Sequence, residues 1–315
     1  MSRTLTEVRA PGWPQTHRSL GGEASFAARG EPSQSRSMAS LERSVLLRME
    51  GAEAGRPYDA SSRTSTIGRG LDNDIVIDDS SISRRHAQVT ADRQSATLED
   101  CNSENGVCVN GQRIRRVELK SGDLIELGAR VSFVFQRASS AHAGLMHRLY
   151  DSSTRDGLTG TYNRKHFWDH LTAEVAFCRR HGTALGLIVV DVDLFRRIND
   201  QHGHATGDAV LQHIAKDVAR QLRTEDLFAR IGGEEFAILL RGIDTEGCLH
   251  LAQRLRLSIA AFPVRIDDLT VPVTISLGCA SLKGTEVTAQ ALMMLADQRL
   301  CQAKRQGRNS VVAAG

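Results

Sequence analysis

The stretch Arg230-Ile231-Gly232-Gly233-Glu234-Glu235-Phe236 constrains this chain more than any other. Two adjacent glycines and two adjacent carboxylates stand between the apolar runs Leu227-Phe228-Ala229 and Phe236-Ala237-Ile238-Leu239-Leu240. Apolar runs on both sides of a Gly-Gly pair read as a β-hairpin whose turn carries the charge. Gly232 and Gly233 tolerate positive φ and have no Cβ, so a ligand phosphate can come close to the backbone. Glu234 and Glu235 then lie where a divalent metal would neutralise that phosphate. Taken alone, the stretch fits a bland Gly-Gly turn with solvated acids equally well.

Two further segments narrow the choice. Ala184 to Val190 is a continuous apolar run, β-branched at its end, and reads as a buried strand. It runs into Asp191-Val192-Asp193-Leu194-Phe195-Arg196-Arg197-Ile198-Asn199-Asp200 and then Gly203-His204-Ala205-Thr206-Gly207-Asp208. A carboxylate at the end of a buried strand, followed by glycines and polar side chains, suits a nucleotide site in an α/β sheet. Ala296 to Asn309 reads as a helix stopped near Gly307, which would set Lys304 and Arg308 on one face. A solvated basic face is the alternative there.

Taken in order, these segments resemble the catalytic domain of the GGDEF diguanylate cyclases, in its Glu-containing form. Asp156-Gly157-Leu158-Thr159-Gly160-Thr161-Tyr162-Asn163-Arg164 is similar to that family's entry motif, and Thr274-Ile275-Ser276-Leu277-Gly278 to its late core strand. The resemblance covers about half the chain, from near Asp156 to Asn309. Gly157 stands where proline is usual, Arg196 where lysine is usual and Cys301 where tyrosine is usual. Arg196 keeps the charge but presents a planar fork, which bears on rate more than on reaction type.

The resemblance implies an α/β domain with a central sheet flanked by helices. It implies an enzyme that joins two GTP into cyclic di-GMP and releases two pyrophosphates. On the matching positions, Asp191, the backbone carbonyl of Val192 and Glu234 would hold magnesium or manganese. Glu234, or Glu235 beside it, would assist removal of the hydroxyl proton, and the residues leave that choice open. Arg196, Lys304 and Arg308 would meet the triphosphate, with Gly232 and Gly233 beneath it. Asn199 and Asp208 are similar to the pair that reads guanine, and His204 either contacts the nucleotide or shapes the turn. One domain holds one GTP, so catalysis implies a homodimer. Arg223-Thr224-Glu225-Asp226, just before the hairpin, resembles the family's inhibitory R-x-x-D, which binds cyclic di-GMP, with Arg254 assisting.

The first half of the chain has a different character. Short runs such as Val45-Leu46-Leu47, Ile75-Val76-Ile77, Ala87-Gln88-Val89-Thr90 and Val131-Ser132-Phe133-Val134 alternate with Gly, Asn, Asp and Ser turns. Many short strands at close spacing predict an all-β sandwich. Gly68-Arg69, Ser83-Arg84-Arg85-His86, Asn105-Gly106 and Val109-Asn110-Gly111 resemble a forkhead-associated (FHA) domain. The resemblance implies recognition of a threonine-phosphorylated protein or peptide. Arg69, Ser83 and Arg84 would hold the phosphate and Asn105 the peptide backbone, while Gly68 and His86 shape the loops. Val107 replaces the threonine often found after Asn-Gly.

The expected organisation is a disordered tail over 1–42, the FHA sandwich over 43–137, a linker over 138–155 and the cyclase domain over 156–313. The tail offers Thr4, Thr6 and Thr16 as self-recognised phosphosites. A balance of 40 basic against 37 acidic residues gives +3, which does not suggest a nucleic-acid partner. The six cysteines form no C-x-x-C pair, consistent with reduced thiols. No apolar run approaches the roughly 20 residues of a membrane helix and no signal-peptide core opens the chain, so a cytoplasmic protein without membrane insertion is expected. Two other readings remain. One is a catalytically silent adaptor that binds phosphopeptide and responds to cyclic di-GMP, against which the intact carboxylates speak. The other is a synthase of a different cyclic dinucleotide, against which Asp208 speaks.

Overall fold

The computed structural model describes residues 42–313 except 93, 224 and 285–287. The expected tail and its threonines lie outside the described residues, apart from Glu42, which already belongs to the first strand.

Eleven strands come first: β1 (Glu42–Arg48), β2 (Pro57–Asp59), β3 (Ser65–Gly68), β4 (Ile75–Val76), β5 (Ala87–Ala91), β6 (Ala96–Asp100), β7 (Val107–Val109), β8 (Gln112–Ile114), β9 (Arg116–Glu118), β10 (Leu124–Leu127) and β11 (Val131–Ser139). They form two sheets, ordered β2-β1-β11-β10-β7-β8 and β4-β3-β5-β6-β9. Alternate residues point inward, as the period of a strand requires. Leu46, Ile67, Val89, Leu98, Ile125, Phe133 and Phe135 are fully buried in one cluster between the sheets. The sandwich ends at Ser139 rather than 137, and the connector is a single helix, α1 (Ser140–Thr154). Its N-cap hydroxyl on Ser139 accepts from the His142 N–H at 3.2 Å.

The second part contains α2 (Arg164–His181), β12 (Ala184–Val192), α3 (Phe195–His202), α4 (His204–Ala219), β13 (Leu227–Arg230), β14 (Glu235–Arg241), α5 (Thr245–Ala261), β15 (Val264–Ile266), β16 (Leu269–Val271), β17 (Ile275–Lys283), α6 (Ala289–Arg305) and β18 (Val311–Val312). The main sheet has the order β13-β14-β12-β17-β18, with β12 at its centre. Both faces of β12 are covered, so it has no polar side. Ile188, Val190 and Val192 pack under α4 and α5, while Leu187 and Val189 pack under α2 and α6. This accounts for an unbroken apolar run where a half-exposed strand would alternate. The neighbours of β12 are both antiparallel to it. The strand end is therefore not a crevice between parallel strands; the β13–β14 turn lies over it, with the Val192 N–H on the Glu234 carbonyl.

Arg241, at the far end of β14, joins the two parts. It pairs with Asp78 of the sandwich and with Glu174 of α2, where its Nε reaches Oε2 at 2.6 Å. Among the described residues no helix is long and apolar enough to cross a membrane.

Candidate functional site

The register of the central sheet assembles the site. Asp191 on β12 pairs with Glu235 on β14, and the Val192 N–H donates to the Glu234 carbonyl at 3.2 Å. The hairpin thus lays Glu234 and Glu235 over the end of the strand that carries Asp191. On the other side α6 brings Lys304, whose Nζ lies 2.7 Å from Asp191 Oδ2. Asp191 is 4% exposed. Burial pushes its carboxyl up to about 6; the Lys304 ammonium pulls it back, and Glu234 and Glu235 push it further up. Lys304 pairs with Asp191 while Glu234 and Glu235 add negative charge nearby, an excess that a divalent cation could balance; Asp191, Glu234 and the Val192 carbonyl are the groups that could hold one. Among the described residues no three acidic, histidine or cysteine side chains already converge on one point. A set of two carboxylates and one backbone carbonyl does not need them to.

The turn over this strand end is braced from outside. Arg230 donates to the Gly233 carbonyl through Nη2 at 2.6 Å and Nε at 3.1 Å, and its Nη1 reaches Asp156 Oδ1 at 3.1 Å. Asp156 belongs to the entry motif, 74 residues earlier. Neither Gly232 nor Gly233 has positive φ, so of the two properties expected of them, conformational freedom and the lack of a Cβ, the turn does not use the first. The requirement at Gly232 is space, because a Cβ there would stand 2.6 Å from Glu235 Oε2.

Beside the turn, α3 and α4 enclose a cavity of ≈ 410 Å³ lined by Asn199, His204, Asp208, Arg196, Gly233 and Glu234. That volume is within the range of small-ligand sites. Asn199 Oδ1 is buried and has no hydrogen-bond partner, so a donor is missing. That oxygen abuts α4 at Gly207, where any Cβ would overlap it. Asp208 and His204 are exposed at the rim. The first turn of α3 has no side-chain cap, which leaves N–H groups free for an anion. Arg196 extends into solvent at the edge of this cavity, with its side chain 93% exposed and its Nε 3.9 Å from Asp200. Lys304 and Arg308 do not share a helical face. α6 ends at Arg305, and Arg308 lies in the following turn with φ 66°. A second cavity of ≈ 300 Å³ on the α6 side of the hairpin is lined by Arg164, Trp168, Glu235, Asp297, Cys301 and Lys304 among others.

A family model for the GGDEF domain of diguanylate cyclases matches residues 153–310, just over half of the chain. The chain belongs to the GGDEF family. A model for the FHA domain matches residues 65–128. The chain is 36% identical over 251 residues to the diguanylate cyclase DgcP of Pseudomonas aeruginosa, covering 78% of this chain and 37% of that protein. It is 32% identical over 214 residues to the response regulator PleD of Caulobacter vibrioides, covering 64% and 47%. It therefore spans between about a third and half of the length of these curated relatives. Among solved structures, the coiled coil and GGDEF domain of DgcB from Caulobacter crescentus, in complex with c-di-GMP, superposes with a TM-score of 0.52. The identity is 30%, over 55% of this chain and 92% of that one. The diguanylate cyclase SiaD of Pseudomonas aeruginosa, in complex with its activator SiaC, gives 0.51 at 36% identity, over 55% and 66%.

The GGDEF domain carries a second polar group at the foot of β13. The Arg223 N–H donates to Asp226 Oδ2 at 2.9 Å, closing the tetrad into a turn; Thr224 within it lies outside the described residues. Burial raises the Asp226 carboxyl above its ordinary range. Arg254 on α5 donates from Nη2 to the Gln221 carbonyl at 2.9 Å, which brings it to the same segment. The Arg223 guanidinium is 3.9 Å from Glu225 and its side chain is exposed.

In the FHA domain the four expected residues come from adjoining loops. The Arg69 N–H donates to the Ser83 carbonyl at 2.9 Å, and Arg69 Nε to the Ile82 carbonyl at 3.1 Å. Ser83 Oγ accepts from the Glu104 N–H at 3.0 Å, and Asn105 Nδ2 donates to the Ser81 carbonyl at 2.8 Å. Arg69, Arg84 and Asn105 are exposed, with Arg84 held by the carbonyl that Asn73 and Gly70 bond. His86 is the hub beneath them, fully buried. Its Nδ1 accepts from the Ser83 N–H at 3.0 Å, so the ring proton is on Nε2, 3.1 Å from the Gly106 carbonyl. Burial lowers its pKa, which keeps the ring neutral.

Proposed function

We propose that the chain is a diguanylate cyclase that condenses two GTP into cyclic di-GMP and two pyrophosphates, controlled by phosphothreonine recognition and by its own product. The observation that carries this reading is the buried Asp191 paired with Lys304, with Glu234 and Glu235 beside it, next to a cavity that Glu234 shares with Asn199 and Asp208. An acceptor at Asn199 or Asp208 takes hydrogen bonds from the guanine N1–H and amino group, which adenine lacks, so GTP is preferred over ATP. The triphosphate lies along the uncapped start of α3 towards Lys304 and Arg308.

In each half-reaction the ribose 3′-oxygen forms a bond to the α-phosphorus of the facing nucleotide, and the bond from that phosphorus to the bridging oxygen breaks. Pyrophosphate leaves with the electron pair, and the hydroxyl proton passes to Glu234 or Glu235. A bound magnesium or manganese would supply charge neutralisation at the phosphates, held by Asp191, Glu234 and the Val192 carbonyl. The chain itself aligns the reactants: Arg230 and Asp156 fix the turn, and Lys304 supports both Asp191 and the phosphates. One domain presents one nucleotide, so two chains must face each other. Arg223, Asp226 and Arg254 bind the cyclic product and limit its accumulation. Arg69, Ser83, Arg84 and Asn105 bind a phosphothreonine peptide, whose nearly two negative charges meet those guanidinium groups.

Incubation of the protein with GTP and magnesium, followed by chromatography of the nucleotides, tests the activity. Cyclic di-GMP and pyrophosphate are expected, and little product from ATP. The Glu234→Gln variant keeps volume and fold but loses activity by about two orders of magnitude or more. No product from wild type, or full activity in Glu234→Gln, overturns the reading.

A further inference from the structure

We infer that Asp193 is a positioning residue for catalysis, holding Arg308 on the triphosphate without touching the nucleotide itself. The inference rests on the cyclase reading above and adds a part to that site. Asp193 is 6% exposed, two residues beyond Asp191, and among the described residues no basic side chain pairs with it. All its partners are neutral. Oδ1 accepts from Ser276 Oγ at 2.6 Å; Oδ2 accepts from Thr274 Oγ1 at 2.7 Å and from the Asn309 N–H at 2.9 Å. Its own N–H donates to the Thr274 carbonyl at 3.0 Å. A buried carboxylate without a cation is expensive unless its lone pairs are taken, and three donors take them.

The arrangement joins three pieces of chain: the metal-bearing end of β12, the entry to β17 and the turn after α6. The last is the informative one. Arg308 and Asn309 have φ of 66° and 44°, two consecutive non-glycine residues in the left-handed region. Side chains with a Cβ adopt that conformation only where the surroundings dictate it. Here the Arg308 N–H reaches the Ala303 carbonyl at 3.3 Å, Arg256 Nη1 reaches Asn309 Oδ1 at 3.1 Å, and Asp193 takes the Asn309 N–H. The next residue is tied to β17, where the Leu277 N–H donates to the Ser310 carbonyl at 3.0 Å, but the Asp193 bond is the one that joins the turn itself to the segment just after Asp191. On this inference Asp193 holds the backbone that carries the exposed Arg308 guanidinium in place relative to Asp191.

Asp193→Asn keeps the shape but leaves one acceptor oxygen for three donors. With GTP and magnesium, kcat/KM falls about tenfold, carried mainly by KM, because the lost contact holds the nucleotide in both ground and transition states. The deciding measurement is a double-mutant cycle. Arg308→Ala alone loses a comparable factor, and adding Asp193→Asn to it costs less than about twofold more, since its effect passes through a guanidinium already gone. An unchanged KM in folded Asp193→Asn, or two losses that multiply, overturns the inference, whatever happens to the melting temperature. Thr274→Val removes one donor to Asp193 from outside the turn and serves where Asp193→Asn does not fold; about a threefold rise in KM is expected, again absent in the Arg308→Ala background. A wild-type chain that makes no cyclic di-GMP refutes the cyclase reading instead. The same cycle is then read from calorimetric GTP affinity, where missing or multiplying losses overturn the positioning role on its own.

Discussion

Replacing Asp191 with Asn should stabilise the metal-free protein while abolishing catalysis. Burial, set against Lys304 and joined by Glu234 and Glu235, moves the Asp191 carboxyl from 3.8 to about 6. That displacement corresponds to about 3 kcal/mol of unfavourable free energy for the ionised form in the folded state. Asparagine imitates the protonated acid, so Asp191→Asn removes this cost above the folded pKa. The Lys304 side chain is 35% exposed, so solvent reaches the pair and the realised gain is nearer 2 kcal/mol, roughly. For a domain of this size that is on the order of 5 °C in melting temperature. The sign follows from proton binding. The folded state holds the proton up to about 6 and the unfolded state only up to 3.8. Wild type is thus unpenalised below 3.8 and loses stability as the pH rises through about 6. The advantage of the variant is full at about pH 7.5 and fades towards about pH 4. Scanning calorimetry in chelator across that range measures it, and adding magnesium should raise the melting temperature of wild type alone. A variant no more stable than wild type near neutrality, or an advantage independent of pH, refutes the account of Asp191.

Three other outcomes are expected. Gly207→Ala favours helix α4 by up to about 1 kcal/mol, yet its Cβ drives Asn199 Oδ1 aside; GTP affinity should fall about tenfold and selectivity over ATP should narrow, read by competition binding. Arg223→Ala should let cyclic di-GMP accumulate further in a closed assay, and progress curves that flatten at the wild-type level would remove the inhibitory role. Arg69→Ala should abolish binding of phosphothreonine peptides in a library screen while leaving the sandwich folded, because its side chain lies at an exposed loop. If wild type shows no preference for phosphorylated over unphosphorylated peptides, the FHA loops are a scaffold only.

Local chemistry was legible without coordinates. The Gly-Gly-Glu-Glu turn, the apolar run of β12, the R-x-x-D tetrad and the arginine–serine–asparagine loops each occupy a few consecutive residues, and turn geometry and strand burial act over that range. The tertiary structure decided what those pieces meet. Asp191 finds Lys304 and Asp193 finds Asn309, 116 residues away in the latter case, through the order of strands in a sheet that no local pattern encodes. Arg230 and Asp156 were visible as motif residues, but their pairing depends on the β13–β14 turn being folded back over the entry loop. The structure also narrowed one expectation and changed another. Gly232 serves by lacking volume beside Glu235 rather than by its φ, and Arg308 leaves α6 instead of continuing Lys304's face. Both depend on neighbours distant in sequence or on the path of a turn, where helical period and glycine content are silent. The same physics separates the two kinds of knowledge: hydrogen bonds within a turn are set by adjacent dihedrals, whereas a buried carboxylate takes its partners from whichever chain segments the core brings to it.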